Sequence, residues 1–512
     1  MYQVALHSAL ALTLVVAPGS AQTLGAAIEY VYRTHPDVLA ETENLKAQNE
    51  AYVQAQAAFG PQISVNFEAD YQQARIDQTS FFGQKYVARQ VGRTATTSLD
   101  ISQPIFSGGR LTAQINGAQA DVLAAREHSR LTLSQIFRDA IRAYADVVRD
   151  ETVLQVAQRA QDLLEHDLSD MQEKFKVGAA ALSDRAEILA RLAAARSQAA
   201  TAEGQLRQSR AAFLSIIGQA PADLAPPGRL PALPQTREAS VAGAMADAPA
   251  LKQALFEEGS ARAKVALARA DFSPDLSLRL SAQSLPVAQY LSAQQDKTLT
   301  AGLTVQVPVF SSGAGLSKLR QAEAADRSAR LKIESARRSV VQAAEQAFAA
   351  YQTTARTVTL FGEQVRADRV AYESLNEQFK SGLISTIDLL NSEQELANAQ
   401  ISLAGAEHDV VLAQADLLAA AGRLEADVLI PDAEPRNPEA DFRMLRLAAS
   451  RLPTTLVVRE LDRLAPGGAP RDRPVPAQPL ERPPPPPDRA TNPLDDMDPA
   501  SLDPAAPKER PR

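Results

Sequence analysis

The chain has 512 residues, which is more than one ordinary domain holds and enough for several cores or an elongated repeat architecture. Aromatic residues make up 5% and tryptophan is absent, so the Ala-, Leu-, Gln-, Glu- and Arg-rich composition favours long helices over a β-sandwich. The net charge of -8 argues against a general nucleic-acid binder, and the absence of cysteine excludes disulfides and thiolate metal sites.

Residues 1–21 are predicted as a signal peptide. An apolar run over 9–17 precedes Pro18-Gly19-Ser20-Ala21, a small-residue ending that suits cleavage after Ala21. The first eight residues hold no Lys or Arg, which departs from the usual positive start. Cleavage would leave Gln22 first, where a lipid anchor needs cysteine, so we expect no lipidation. No apolar run reaches the ~18 to 20 residues of a transmembrane helix, so any membrane crossing must use β-strands.

Two halves of the chain repeat one pattern. Residues 103–109 match 307–313 at an offset of 204 positions, and 175–178 match 379–382 at the same offset. Nearer the start of each half the offset is 213, so the first copy carries nine extra residues. Constant spacing predicts rigid helices of fixed length, because loops tolerate insertions. The predicted organisation is a first repeat 22–220, a connector 221–236, a second repeat 237–424, a C-terminal segment 425–464 and a Pro-rich, disordered tail 465–512.

Alternating apolar and polar residues predict two pairs of strands, which lie at 61–71, 94–101, 276–283 and 299–307. Each has about the 9 to 11 residues that cross a bilayer, with an apolar face for lipid and a polar face for a wet lumen. The segments 73–93 and 284–297 are expected as outward loops. Four strands cannot close a membrane barrel, which needs about eight, so the chain must oligomerise.

Prolines mark the predicted strand–helix junctions. Pro61 and Pro274 are expected to stop the preceding helices, and Pro104 and Pro308 to end the strands before Gly-containing turns. Each predicted hairpin therefore lies between two prolines, at about 61–104 and 274–308.

Proline-free helix formers run from Arg110 to about Lys174 and from Gly315 to about Gln378. At about 1.5 Å per residue each helix would be roughly 90 Å long. Each run ends in Phe-Lys-x-Gly, beginning at Phe175 and Phe379, with the glycines expected to supply left-handed turn residues. Return helices are expected from Asp184 and Asp388, where an aspartate suits a helix N-terminus by capping and dipole.

The duplicated Pro-x-Phe-Ser and Phe-Lys-x-Gly motifs, together with Ile387–Leu396 (IDLLNSEQEL), make residues 24–424 resemble the TolC-type outer-membrane efflux proteins. The resemblance implies a mainly α protein with transmembrane β-strands, in which four strands per chain form a twelve-stranded β-barrel of a homotrimer. Long helical hairpins would continue it as a periplasmic α-barrel. It also implies contact with outer-membrane lipid, a periplasmic adaptor protein and an inner-membrane pump of ABC or RND type.

The same resemblance implies an acidic ring that lines a periplasmic gate, at Asp388 and Asn391, with Asp184 and Glu187 as first-copy equivalents. Asn391 departs from the aspartate that is common there, which leaves that position uncharged. Phe175, Gly178, Phe379 and Gly382 would form the turns at the adaptor-facing tip.

The predicted function is a passive exit duct, either for small-molecule efflux or for type I protein secretion. The lack of a lipid anchor favours the second or a shared duct, and the lack of a P-loop means that a partner must supply energy. The alternative is a periplasmic adaptor or coiled-coil scaffold, although adaptors lack paired amphipathic strands bracketed by proline. We expect no enzyme activity, cofactor or metal, since the five histidines show no metal-ligand spacing.

Overall fold

The structure is a computed structural model that describes residues 22–79, 81–177, 181–289, 292–381, 383–430 and 458–462. The predicted signal peptide, the Pro-rich tail and the two turn glycines, Gly178 and Gly382, lie outside these residues. The predictions made for them therefore stay predictions.

Two copies of one set of elements follow each other along the chain. The first copy comprises α1 (Leu24–Thr34), α2 (Pro36–Ala57), β1 (Gln62–Thr79), β2 (Lys85–Phe106), α3 (Arg110–Lys176) and α4 (Leu182–Ile217). The second comprises α5 (Arg237–Asp247), α6 (Pro249–Ala270), β3 (Asp275–Gln289), β4 (Ser292–Gln306), α7 (Ala314–Lys380) and α8 (Thr386–Ala420), followed by α9 (Ala426–Leu429). No helix among the described residues has the length and apolarity to cross a membrane.

The helices of the two copies have matching lengths. Helices α3 and α7 have 67 residues each, which is about 100 Å, and their ends lie within two residues of the predicted ones. Helices α2 and α6 have 22 residues each, and α1 and α5 have 11 each. The strands differ instead, with 18 and 22 residues in the first hairpin and 15 and 15 in the second. The predicted tandem repeat is confirmed, and the length difference falls in the hairpins.

The four strands form one antiparallel sheet in chain order. Within the segments that the sequence predicts as strands, one face of the sheet is apolar and the other is polar. On one face, Val65, Leu99, Ala282 and Leu299 are paired in a row across the strands. On the other face, the adjacent row is Ser64, Asp100, Ser281 and Thr300. Asp100 accepts hydrogen bonds from Ser98 Oγ at 2.7 Å, Ser281 Oγ at 2.7 Å and Asn66 Nδ2 at 2.9 Å. The sheet therefore has an apolar face and a hydrogen-bonded polar face.

The segments expected as loops are mostly strand, so that prediction was wrong. Strand β1 continues to Thr79 and β2 begins at Lys85, while β3 continues to Gln289 and β4 begins at Ser292. Opposed pairs such as Gln72 with Gly92 and Arg75 with Arg89 continue the ladder without apolar alternation. The backbone pairing persists there without the two-residue apolar period on which the prediction depended.

Pro104 does not end the strand, as had been expected. It lies inside β2 opposite Ser277, and the register shifts between Pro104 and Phe106. A proline cannot donate to the ladder, and sheets accommodate it at such irregularities. Pro61, Pro274 and Pro308 do lie just outside the strands, as predicted.

Gly108, between β2 and α3, has a φ of +64° and brings the first copy against the second. A Cβ there would lie 2.1 Å from Ser273 Cβ, so no larger residue fits without a shift of backbone. Next to it, Arg110 Nη2 donates to Asp275 Oδ2 at 3.2 Å. The first strand–helix junction is thus covered by the second copy.

The main core lies around the middle of α3, where α1, α4, α8 and the connector meet it. Its largest fully buried side chains include Tyr144, Phe137 and Phe213. The Tyr144 hydroxyl lies 2.7 Å from the Gln22 carbonyl oxygen and 2.6 Å from that of Ala225, and burial raises its pKa to about 12. The connector therefore packs against the middle of the long helix.

A short helical segment, 458–462, returns to the start of α3. Asp462 is fully buried and accepts five hydrogen bonds, from the N–H groups of Ser107, Gly109 and Thr112 and the hydroxyls of Ser107 and Thr112, at 2.8 to 3.1 Å. Val458 packs beside it on Phe59 and Leu111. A carboxylate there satisfies N–H groups that a helix start leaves unpaired and matches the helix dipole.

Candidate functional site

The two helical hairpins end side by side at the tip of the molecule that lies farthest from the sheet. Lys174 Nζ of α3 lies 5.1 Å from the ring centroid of Phe379 of α7, and the Arg185 guanidinium of α4 lies 5.5 Å from that of Phe175. Cations above aromatic rings at these distances contribute about 0.5 to 1 kcal/mol each at exposed sites. The predicted tip residues Phe175 and Phe379 are thus each held by a cation, and the first contact joins the two copies.

The two predicted gate aspartates cap the return helices. Ser385 Oγ donates to Asp388 Oδ2 at 2.5 Å and accepts from the Asp388 N–H at 3.2 Å, and the Ser385 N–H also donates to that carboxylate at 3.3 Å. In the first copy the Ala181 N–H donates to Asp184 Oδ2 at 3.4 Å, but Ala181 has no side-chain oxygen to accept a bond in return. The second-copy cap is therefore the complete capping box, and Asp388 remains exposed to solvent beside it.

The other two predicted gate residues, Glu187 and Asn391, are linked by an arginine that sequence reasoning missed. Arg191 Nε donates to Glu187 Oε1 at 2.9 Å, and Arg191 Nη2 donates to Asn391 Oδ1 at 2.8 Å. The second bond crosses from α4 to α8 and so joins the two hairpins. Arg191 follows Glu187 by one helical turn, so an i,i+4 pair was visible in the sequence, but its reach to Asn391 depends on the fold.

We predict that Arg191→Ala loosens this contact between the hairpins. Two partly exposed hydrogen bonds are worth about 1 kcal/mol together, so the population in which α4 and α8 are separated at the tip should rise about fivefold. Hydrogen–deuterium exchange of the tip ends of α4 and α8 would measure that population. Arg196→Ala is the matched control, since within the described part of the chain Arg196 forms its ion pair with Glu165 of its own hairpin. Equal effects from both variants would contradict the link.

Behind this exposed layer lies a partly buried cluster of ionisable groups, which the sequence did not indicate. It comprises Glu393 of α8, Asp167 of α3 and Tyr372 of α7, all roughly 10 to 14 Å from the helix ends. Burial, and then the nearby Asp167 charge, raises the pKa of Glu393 to about 7, although Arg191 opposes this. Burial also raises the pKa of Asp167 and of Tyr372.

The structure thus brings Glu187 and Asn391 together through Arg191 and keeps Asp184 and Asp388 at the first turns of their own helices. Of the four junction prolines, Pro104 lies within β2 and the other three lie next to the sheet, at the opposite end of the long helices. Among the described residues no group of three or more His, Cys, Asp or Glu could hold a metal ion. The arrangement provides exposed carboxylates at a helical tip.

Comparison with known proteins agrees with this architecture. The family model for "Outer membrane efflux protein" matches residues 28–219 and 242–423, one match for each copy. The outer membrane efflux protein BepC of Brucella suis is 24% identical over 425 residues, covering 83% of this chain and 91% of BepC. The alkaline protease secretion protein AprF of Pseudomonas aeruginosa is 24% identical over 373 residues, covering 70% of this chain and 76% of AprF.

Among solved structures, the CmeC outer membrane channel of Campylobacter jejuni superposes with a TM-score of 0.70 at 14% identity, covering 85% of this chain and 90% of CmeC. That likeness concerns the fold, with its paired long helices and four strands. Because the family model matches both copies over most of the chain, this protein is an outer-membrane protein with helices that extend into the periplasm, and it belongs to the outer membrane efflux protein family.

Proposed function

We propose that the chain forms a homotrimeric channel, a passive exit duct of a tripartite efflux or type I secretion system. The observation that carries this proposal is the two-faced sheet at the end of helices of about 100 Å. Its edge strands, β1 and β4, each have one edge that pairs with no strand among the described residues. An open strand edge is not tolerated in lipid, so β4 of one subunit would pair with β1 of the next. Three copies would then supply twelve strands.

The internal repeat also supports an intermolecular contact at the strand–helix junctions. Ile105 and Phe106 of the first copy are partly buried, because the second copy covers that junction. Their second-copy equivalents, Val309 and Phe310, are 91% and 86% exposed. Large apolar side chains exposed together mark an interaction surface. A neighbouring first copy would cover them as the second copy covers Ile105 and Phe106.

Gel migration tests the assembly against the alternative of a periplasmic adaptor or coiled-coil scaffold. An outer-membrane trimer should migrate near three times the subunit mass without heating and as a monomer after boiling. A protein that fractionates with the periplasm and migrates as a monomer without heating would overturn the proposal.

The tip would be the periplasmic gate. Three symmetry-related copies of the exposed Asp388, with Asp184 and Glu187, would surround the mouth with negative charge, while Asn391 adds none. Like charges at a narrow pore attract cations and repel one another. The capping bonds of Asp388 are compatible with this role, since they leave its charge exposed.

We predict that Asp388→Asn lowers the cation preference of the channel. Asparagine can still cap the helix but removes one charge per subunit, worth about 1 kcal/mol at the pore, so the cation-to-anion permeability ratio should fall about fivefold. Reversal potentials in asymmetric salt measure this ratio. Asp121→Asn, an exposed change near the other end of α3, should leave it unchanged. An unaltered ratio in Asp388→Asn would remove that residue from the ring.

The energy for transport would come from an inner-membrane pump of ABC or RND type, reached through a periplasmic adaptor at the tip. Among the similar proteins BepC is named for efflux and AprF for protease secretion, so both cargo classes stay open for this chain. A deletion strain should be assayed together for dye efflux and for missing secreted proteins. If the deletion strain loses dye efflux or protein secretion, the lost process assigns the cargo. A strain that keeps both processes would contradict a duct.

A further inference from the structure

One carboxyl group in the tip is buried without a matching partner. Glu393 is 8% exposed, and its Oε2 atom is buried with no hydrogen-bond partner in the described part of the chain. A buried carboxylate with an unsatisfied oxygen is costly, whereas a protonated carboxyl group can occupy such a position neutral. This buried position therefore favours the neutral, protonated form of the Glu393 side chain over the ionised form.

The groups that face Glu393 come from three other helices. Asp167 of α3 disfavours a negative charge there, and Arg191 of α4 favours one. Tyr372 of α7 lies near enough that, after burial, the Glu393 charge raises the pKa of its hydroxyl. The Asp167 carboxyl is itself influenced by His166, Asp170 and Lys174 of its own helix. Arg191 is already engaged by Glu187 and Asn391, so its charge is shared and does not neutralise Glu393.

We propose that Glu393 is a proton-binding site that controls the packing of the tip: its carboxyl group is neutral when α3, α7 and α8 are close-packed, and its ionisation loosens them. The site lies beside the tip core formed by Leu164, Met171, Ile188, Leu192, Ala195 and Leu390. Loosening would expose that core. To interpret this loosening as the opening of a gate rests on the proposed function, whereas proton binding by Glu393 does not.

The direction of the pH effect follows from the pKa of Glu393 in the packed tip and in the loosened tip. In a loosened tip a water-exposed Glu393 has the ordinary pKa of 4.5, and in the packed tip its pKa is about 7. The packed tip therefore binds the proton more tightly than the loosened tip does. The stabilisation of the packed tip by this proton is fully present below the ordinary pKa of 4.5. That advantage is lost as the pH rises through the higher value, so the ratio of loosened to packed tip should increase on the order of 50- to 100-fold between pH 5 and pH 8.

The absence of cysteine permits a direct test. Ala195→Cys places a thiol in the tip core, where Ala195 is 5% exposed. Its rate of maleimide labelling in the folded, full-length protein, divided by the rate for a small free thiol at the same pH, should rise by that factor between pH 5 and pH 8. Adding Glu393→Gln, which mimics the neutral group, should keep the ratio low at every pH.

Two further variants bound the interpretation. Glu395→Gln changes an exposed carboxylate on the same helix and should keep the native pH response. Asp167→Asn removes the neighbouring charge and should shift the midpoint to lower pH. A flat response in the Ala195→Cys protein, or an unchanged response in Glu393→Gln, would overturn the proposal. A labelling response without any pH effect on channel opening would keep the proton site and contradict the gate.

Discussion

Asp462→Ala should release the segment 458–462 from the strand–helix junction. The substitution removes five hydrogen bonds to a buried carboxylate and leaves three backbone N–H groups at the start of α3 without their acceptor. Allowing for water that enters, the cost is about 3 kcal/mol, so the released population should rise about 100-fold. Trypsin cleavage after Arg459, followed by mass spectrometry under native conditions, measures that population.

Two further variants separate the charge from the shape at this site. Asp462→Asn keeps one acceptor oxygen and should give an intermediate rate of cleavage. Asp427→Ala changes an exposed aspartate of α9 and should leave the rate close to that of the native protein. If Asp462→Ala were cleaved no faster than Asp427→Ala, the segment would not depend on its carboxylate.

The same contact has a pH dependence of known sign. Burial acts to raise the pKa of Asp462, but hydrogen bonds from Gly109, Ser107 and Thr112 outweigh it and hold the pKa below 3.8. A depressed pKa in the packed state means that the stabilisation is complete above the ordinary value and is lost as the pH falls through the lower one. The segment should therefore stay bound throughout the neutral range.

Leu299→Arg should prevent assembly in the membrane. Leu299 lies on the apolar face of β4 and is 79% exposed, so the proposed barrel turns it toward lipid. An arginine on the lipid face costs about 2 to 4 kcal/mol near the midplane of the bilayer, and a trimer incurs that cost three times. The heat-modifiable trimer should be lost from outer-membrane fractions.

The adjacent residue provides the matched control. Thr300 lies on the polar face, in the row that contains Asp100 and Ser281, so Thr300→Arg puts the same charge toward the lumen and near a carboxylate. Its trimer should assemble normally. If both variants assembled equally well, or if only Thr300→Arg failed, the assignment of the two faces would be wrong.

The long helices could be predicted because their signal is local and duplicated. An unbroken run of helix formers, ended by Phe-Lys-x-Gly in both copies, gave the bounds of α3 and α7 to within two residues. The halves of the strands next to the helices could be predicted for a similar reason. Contact with lipid requires apolar side chains on one face of the sheet, and this requirement produces an alternating sequence. Asp184 and Asp388 were correctly expected at helix starts, where capping geometry is local.

The remaining features depend on contacts between distant parts of the chain. The outer halves of the hairpins lack the two-residue apolar period in their sequence, although their ladder continues. Arg191, Asp167 and Glu393 meet only because separate hairpins end together. Asp462 lies about 350 positions from the groups that it caps, and its segment has no period or motif that marks it.

The equal helices and unequal hairpins impose different rules on insertions into this chain. A residue added to α3 alone would put its tip out of step with that of α7, so the periplasmic length can change only in both copies at once. The hairpins carry no such constraint, because they already differ in length by nine residues. The turn after β1, at 81–84, is therefore the natural place to graft an epitope or a fluorescent label that reports the protein at the cell surface.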